Sequence, residues 1–144
     1  MTLVEIMIAV AILAILSTMA APAFQGMIAS SQIRSATNDI LATLAHARSE
    51  AIRRSATVTV SANGGDWSTG WTSVTGGTTL STGRAMPDSV VIDNAITSIS
   101  FTPNGQTTDT GTLSIASTQT EVTSIRDLQI LGSGKAILVT RARP

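Results

Sequence analysis

The sequence predicts an α+β protein in which one long N-terminal helix packs on the antiparallel β-sheets of a globular head. Apolar residues dominate the first 24 positions and then recur at helical spacing to about residue 54. From Thr57 onward the pattern alternates every second residue, and turn-forming Gly, Asn and Asp separate the short segments. Strands with one polar face, packed on one apolar helix stripe, are typical of antiparallel α+β domains.

The segment Met1–Phe24 starts the predicted helix and is apolar on every side. About 20 apolar residues, at about 1.5 Å each, can cross a hydrocarbon core of roughly 30 Å, so residues 1–25 are predicted to form a transmembrane half of the helix. The segment lacks the basic n-region and clear A-x-A site of an ordinary signal peptide. Met1 is therefore either an initiator or the residue left after a short leader has been removed.

Residues 26–55 are predicted to form the amphipathic half of the same helix. Pro22 removes a backbone donor, so we expect a kink or a local opening near residues 18–22. Beyond it, apolar residues at steps of three and four form a stripe that must pack on something. The stripe comprises Ile33, Ala36, Ile40, Leu44, Ala47 and Ala51, widened by Leu41 and Ile52. Glu50 and Arg54 form a favourable i,i+4 pair.

Residues 56–144 are predicted to form the β-rich head, with about seven short strands. Thr75–Gly83 and Gln106–Gly111 are expected to be mobile loops. The predicted strands are Thr57–Ala62, Trp67–Val74, Val90–Ile92, Ile96–Thr102, Thr112–Ser117, Ile125–Leu131 and Lys135–Val139.

The composition argues against an enzyme and against a cofactor or metal site. Nine Lys and Arg balance nine Asp and Glu, and there is no Cys and one His. His46 and Glu50 could supply two metal ligands, but no third is near in sequence, so a solvated face is the better interpretation. The aspartates of the loops lack calcium-loop spacing, and no serine lies in a G-x-S-x-G elbow.

Two groups of charged residues remain as candidate functional sites. Glu5 lies in the apolar segment; it either reaches headgroup water or pairs with the α-amino group of a neighbouring subunit's Met1, which would favour a fixed axial stagger. Lys135, Arg141 and Arg143 concentrate positive charge in the last ten residues. They are either a solubilising strand end or a small phosphate-binding patch for DNA.

The N-terminal segment resembles the mature N-terminus of type IV pilins and type II secretion pseudopilins. The similarity rests on Thr2, Leu3, Glu5, the apolar run and Pro22, although Met1 replaces the usual Phe. The downstream chain is similar to the GspH/FimT-like branch. The matching motifs are Ala47-Arg48-Ser49-Glu50-Ala51-Ile52, Val58 with Val60, Trp67 with Gly70-Trp71, Phe101-Thr102-Pro103-Asn104-Gly105, and Gly134-Lys135.

The resemblance implies a pilin-like fold and a structural subunit that polymerises through its N-terminal helix into a type IV pilus or type II secretion-like filament. It implies processing by a prepilin peptidase, N-methylation at Met1, and a bacterial inner-membrane stage with an assembly platform. Related subunits in a cell-surface or periplasm-spanning filament would be the partners, with Met1, Glu5 and Pro22 as assembly residues. The alternatives are a minor pilin that binds DNA through Lys135, Arg141 and Arg143, and a plain single-pass anchored protein.

Overall fold

A computed structural model describes residues 2–94 and 96–144; the side chains of residues 19–23 and 94 lie outside the description. One helix, α1, spans Leu3–Arg54 without interruption. Eight strands follow among the described residues. Their bounds are β1 Val58–Ala62, β2 Trp71–Thr75, β3 Thr78–Gly83, β4 Val90–Asn94, β5 Ser98–Phe101, β6 Gly111–Ser117, β7 Ser124–Ile130 and β8 Ala136–Ala142. The predicted α+β architecture is therefore confirmed.

Helix α1 has sequence-encoded ends. Thr2 is its N-cap and forms a capping box with Glu5. At the other end Ser55 takes a left-handed conformation, and its N–H bonds back to carbonyls of the last turn. Residues 3–18 are exposed on all sides, whereas the second half of the helix buries one stripe. This stripe begins at Ala29 and contains every core position predicted for it from Ile33 to Ala51.

The strands form two four-stranded antiparallel sheets that pack with the buried stripe of α1 in one core. The first sheet has the order β3-β2-β1-β5, and the second has the order β4-β6-β7-β8. Alternate residues of the central strands point inward, which gives β2 and β6 their alternating burial. The largest fully buried side chains include Trp67, Trp71 and Phe101. The core therefore relies on both tryptophans of the chain.

Some predicted boundaries in the head are wrong. Trp67–Thr69 is a 3-10 turn and not a strand, because the Asp66 side chain accepts a hydrogen bond from the Ser68 N–H and Gly70 breaks the extended chain at φ 102°. Thr78–Gly83 was predicted to be part of a mobile loop but forms strand β3. Its residues carry little apolar signal, and its pairing with β2 supplies the order that composition does not reveal.

Candidate assembly surface

The first sixteen residues of α1 expose apolar side chains around the whole helix. Every residue from Leu3 to Thr18 is exposed. The large apolar members are Leu3, Val4, Ile6, Met7, Ile8, Val10, Ile12, Leu13, Ile15 and Leu16, each at least half exposed. Soluble monomers rarely expose apolar patches beyond a few hundred Å², so an apolar surface of this extent is typical of a protein–protein or membrane contact.

Glu5 forms two hydrogen bonds with Thr2 at the N-terminal end of α1. Its Oε2 atom accepts a hydrogen bond of 2.6 Å from the Thr2 N–H, and its own N–H donates to Thr2 Oγ1 at 3.3 Å. Among the described residues, Oε1 of Glu5 has no hydrogen-bond partner. Glu5 is also the only charged side chain before Arg34 in the sequence. One carboxylate oxygen of Glu5 therefore caps the helix, and the carboxylate is the only ionisable side chain of the exposed apolar segment Leu3–Thr18.

The other two predicted assembly residues are less fully described. Met1 lies outside the described residues. The backbone of Pro22 lies within the unbroken helix, and its role as a kink or flexible point stays a prediction. As for the predicted span over 1–25, no helix within residues 2–94 or 96–144 is long and apolar enough to cross a membrane.

Arg48, near the C-terminal end of α1, hydrogen-bonds to two turns of the head. Its Nε donates to the Gly105 carbonyl at 2.8 Å, and its Nη2 donates to the Ser133 carbonyl at 3.0 Å. A Cβ on Gly134 would lie 1.9 Å from the Gly105 oxygen, and Gly134 has φ 74°. Three motifs far apart in sequence therefore meet around one guanidinium group.

A second fastening comes from the tryptophans. Nε1 of Trp71 donates to Oγ1 of Thr43 on the helix at 3.0 Å. Nε1 of Trp67 donates to the Ile96 carbonyl at 2.7 Å. Gly83 on β3 lies against the Trp71 indole, where a Cβ would come within 2.1 Å of the ring. Within the W-x-x-G-W motif, Trp71 thus bonds the first sheet to the helix, and Trp67 bonds to the segment just before β5.

The charged face of the helix forms a small ion-pair network. Nη2 of Arg53 and Nε of Arg54 both contact Oε2 of Glu50, at 2.5 and 2.6 Å. The hydrogen bond from Arg53, which has the larger effect, and the hydrogen bond from Arg54 lower the pKa of Glu50 to about 2. The predicted Glu50–Arg54 pair is confirmed. Among the described residues there is no cluster of three metal-ligating side chains, and His46 lies exposed.

The three basic residues proposed to contact DNA do not form one patch. Lys135 precedes β8 and Arg141 lies near its end, so about 3.3 Å per residue separates them by roughly 20 Å. Nε of Arg141 bonds to Oδ2 of Asp127 at 2.6 Å, which compensates its charge. Nη1 of Arg143 donates to the Ser117 carbonyl at 3.1 Å. Of these three bases, Lys135 and Arg143 therefore have no acid partner among the described residues, and they lie at opposite ends of the strand.

Sequence reasoning did not find the role of Arg48. The available signal was its position four residues after Leu44, at the edge of the buried stripe. A charge at such a position needs acceptors within reach, and the two turns supply them.

Comparisons with known proteins agree with this architecture. The family model described as "Type II transport protein GspH" matches residues 36–134. A comparison with curated proteins finds no match. Two crystal structures of the type IV minor pilin FimU from Pseudomonas aeruginosa PAO1 are similar. One has 24% identity and a TM-score of 0.62, covering 74% of this chain and 91% of FimU. The other has 22% identity and a TM-score of 0.63, covering 80% and 90%. These similarities show a type IV pilin fold.

Proposed function

Because the chain belongs to the GspH family, we propose that it is a structural subunit of a type IV pilus or type II secretion-like filament. The observation that carries this proposal is the all-round apolar exposure of Leu3–Thr18 on a helix whose other half is fastened into a folded head. The apolar half would lie in the filament core against the same segment of neighbouring subunits. The head would remain outside this core.

The two halves of α1 differ in their contacts with the head. Residues from Ala29 to Ala51 hold the head through the buried stripe, Arg48 and the Trp71–Thr43 bond. Among the described residues, the segment Leu3–Thr18 makes no hydrogen bond or ion pair to the head. A helix end without tertiary partners is free to pack in an assembly without disturbing the fold that carries it. This division supports a subunit that polymerises through its N-terminus.

Glu5 is the residue proposed to align successive subunits. Its Oε1 atom is available to an incoming positive charge, and the α-amino group of a processed neighbour's Met1 is the partner proposed here. Before assembly, the subunit would reside in the bacterial inner membrane and meet a prepilin peptidase and an assembly platform. Finding residue 1 N-methylated by mass spectrometry of the isolated protein would support this processing step.

Two substitutions separate alignment from helix capping. Glu5→Gln removes the charge but keeps a side chain that serves at the third position of a capping box. Thr2→Ala keeps the charge but removes the Oγ1 acceptor of the Glu5 N–H, at a cost of about 1 kcal/mol to the helix end. The full chain would be expressed in a cell that assembles its filaments, and sheared filaments would be quantified by sedimentation and immunoblot.

We expect Glu5→Gln to reduce the filament fraction roughly tenfold or more, while Thr2→Ala stays within about twofold of the unmodified chain. Equal incorporation of both variants would refute the alignment role of Glu5. Absence of the unmodified chain from every sedimented filament would refute the structural function itself.

A further inference from the structure

Strand β8 presents a long, open apolar edge. It is the last strand in the order β4-β6-β7-β8, and among the described strands it pairs only with β7. Its register against β7 is continuous over seven residue pairs. At its centre, Ile137, Leu138 and Val139 are each 37–39% exposed. Natural edge strands are usually short, bulged, charged or covered, whereas β8 is seven residues long, pairs with β7 without a bulge, and carries a single charge, Arg141, which is paired with Asp127.

The hydrogen bonds just beyond each end of the β7–β8 ladder show which residues of β8 point their backbone N–H and C=O groups toward β7. The Leu131 N–H donates to the Lys135 carbonyl, and the Arg143 N–H donates to the Thr123 carbonyl. Hydrogen-bonded pairs alternate along an antiparallel ladder, so odd-numbered residues of β8 face β7. Ala136, Leu138, Thr140 and Ala142 therefore point their N–H and C=O groups away from the sheet. These are the groups that an added strand would bond.

The edge is flanked by positive charge. The β7–β8 hairpin carries Arg126, Lys135, Arg141 and Arg143, whereas its only acid is Asp127. Asp127 is already bonded to Arg141. Lys135 at one end and Arg143 at the other are exposed and have no acid partner among the described residues. The edge is thus apolar in the middle and positive at both ends.

This charge pattern disfavours pairing with a second copy of β8. An antiparallel pair centred on Val139 places Lys135 opposite Arg143 twice, and one centred on Leu138 places Lys135 opposite Arg141 twice. A parallel pair in register sets each base beside its own copy. Like charges directly opposite each other destabilise a strand pair. The same pattern favours a strand with carboxylates at both ends.

We propose that β8 binds an extended protein segment with an apolar centre and acidic ends by strand addition. The proposal rests on the open edge, on the outward-pointing backbone groups of its even-numbered residues and on the positive charge at both ends. The second sheet then gains a fifth strand. Backbone bonds to the even-numbered residues provide binding, while Lys135 and Arg143 select the acidic ends. This inference concerns the head and does not depend on the proposed filament function.

The test uses the full chain in detergent micelles and a fluorescent peptide, Asp-Asp-Val-Thr-Val-Thr-Val-Asp-Asp, followed by fluorescence anisotropy. Two control peptides replace the four Asp by Lys or N-methylate alternate backbone nitrogens. Thr140→Pro removes one outward N–H without touching the ladder to β7, and proline is tolerated on the open side of an edge strand. Thr140→Ala is the matched control, and near-ultraviolet circular dichroism verifies that both variants are folded.

We expect saturable binding of the acidic peptide, weakened roughly tenfold or more by Lys ends, by N-methylation and by Thr140→Pro, and unchanged by Thr140→Ala. Equal binding of the acidic and N-methylated peptides would overturn strand addition without relying on any variant. Complete displacement of the peptide by a DNA duplex, together with insensitivity to Thr140→Pro, would show a simple polyanion site instead. Because the chain has no cysteine, rapid disulfide dimerisation of Val139→Cys or Leu138→Cys, the residues that face their own copies in the two antiparallel registers, absent in Ser49→Cys, would show that a second copy occupies the edge.

Discussion

Replacing Arg48 by alanine should detach the helix from two turns of the head at once. The bond from Nε to the Gly105 carbonyl is 2.8 Å long and partly buried, and the bond from Nη2 to the Ser133 carbonyl is 3.0 Å long and exposed. A hydrogen bond from a charged donor contributes about 1.5–3 kcal/mol, and water can replace the exposed one at low cost. The expected loss is therefore about 2–3 kcal/mol in the free energy of unfolding.

The assay is thermal unfolding of the full chain in micelles, followed by tryptophan fluorescence. Trp67 and Trp71 are both buried in the head with ring centroids 6.2 Å apart, so their emission reports the head and not the exposed helix half. At about 3 °C per kcal/mol for a chain of this size, Tm should fall by roughly 6–9 °C. Arg48→Lys should recover at most part of this loss, because one ammonium group lacks the planar fork that reaches both carbonyls.

Arg53→Ala is the matched control for Arg48→Ala. Arg53 lies on the same helix, has a side chain 62% exposed, and bonds only to Glu50 among the described residues. Its loss should change the free energy of unfolding far less than the loss of Arg48, because solvent screens an exposed ion pair. An Arg48→Ala variant within about 0.5 kcal/mol of the unmodified chain, or no more affected than Arg53→Ala, would refute the fastening role of Arg48.

Three further predictions concern the head and its charged helix face. Gly134→Ala should cost at least about 1 kcal/mol more than Gly76→Ala in urea unfolding, because both have positive φ but only Gly134 adds a backbone clash. Trp71→Phe should cost about 1–2 kcal/mol through the lost bond to Thr43, with Trp67 emission as the readout. The lowered pKa of Glu50 means that its stabilising pairing is present above about pH 4.5 and lost as pH falls through about 2. The stability difference between the unmodified chain and Glu50→Gln should therefore shrink over that window, and a difference independent of pH would contradict it.

The helix could be predicted well from sequence because its signals are local. The stripe from Ile33 to Ala51 follows a 3.6-residue period, and all six of its predicted core positions are buried. Ile52 was expected to widen the stripe but is 51% exposed, since it lies at the margin of the buried arc. Strand β3 could not be predicted in the same way, because its order comes from pairing with β2 and not from its own apolar content.

The candidate surface was only partly predictable for a similar reason. The apolar segment and Glu5 stand out in the sequence because charge is absent around them. The bond between Arg141 and Asp127 joins the adjacent strands β7 and β8 across fourteen positions of sequence, and no local sequence pattern predicts it. The same holds for Arg48, whose acceptors lie 57 and 85 positions away. Local patterns thus located the elements, while partners supplied by the tertiary fold decided what each charge does.

The reference state of the apolar helix determines what Glu5 contributes. If the helix assembled from water, burying ten large apolar side chains that are each at least half exposed would contribute on the order of 10 kcal/mol. Apolar burial would then dominate the free energy of assembly, and one carboxylate would matter little. From the proposed membrane stage, lipid is already as apolar as the side chains, and little is gained by exchanging one for the other. The single charge before Arg34 then becomes the main feature that distinguishes a correct neighbour from lipid. Glu5→Gln should therefore impair assembly from membranes strongly and leave self-association of the purified chain after detergent removal nearly unchanged. Equal defects in both settings would show that Glu5 acts on the helix itself and not on the choice of neighbour.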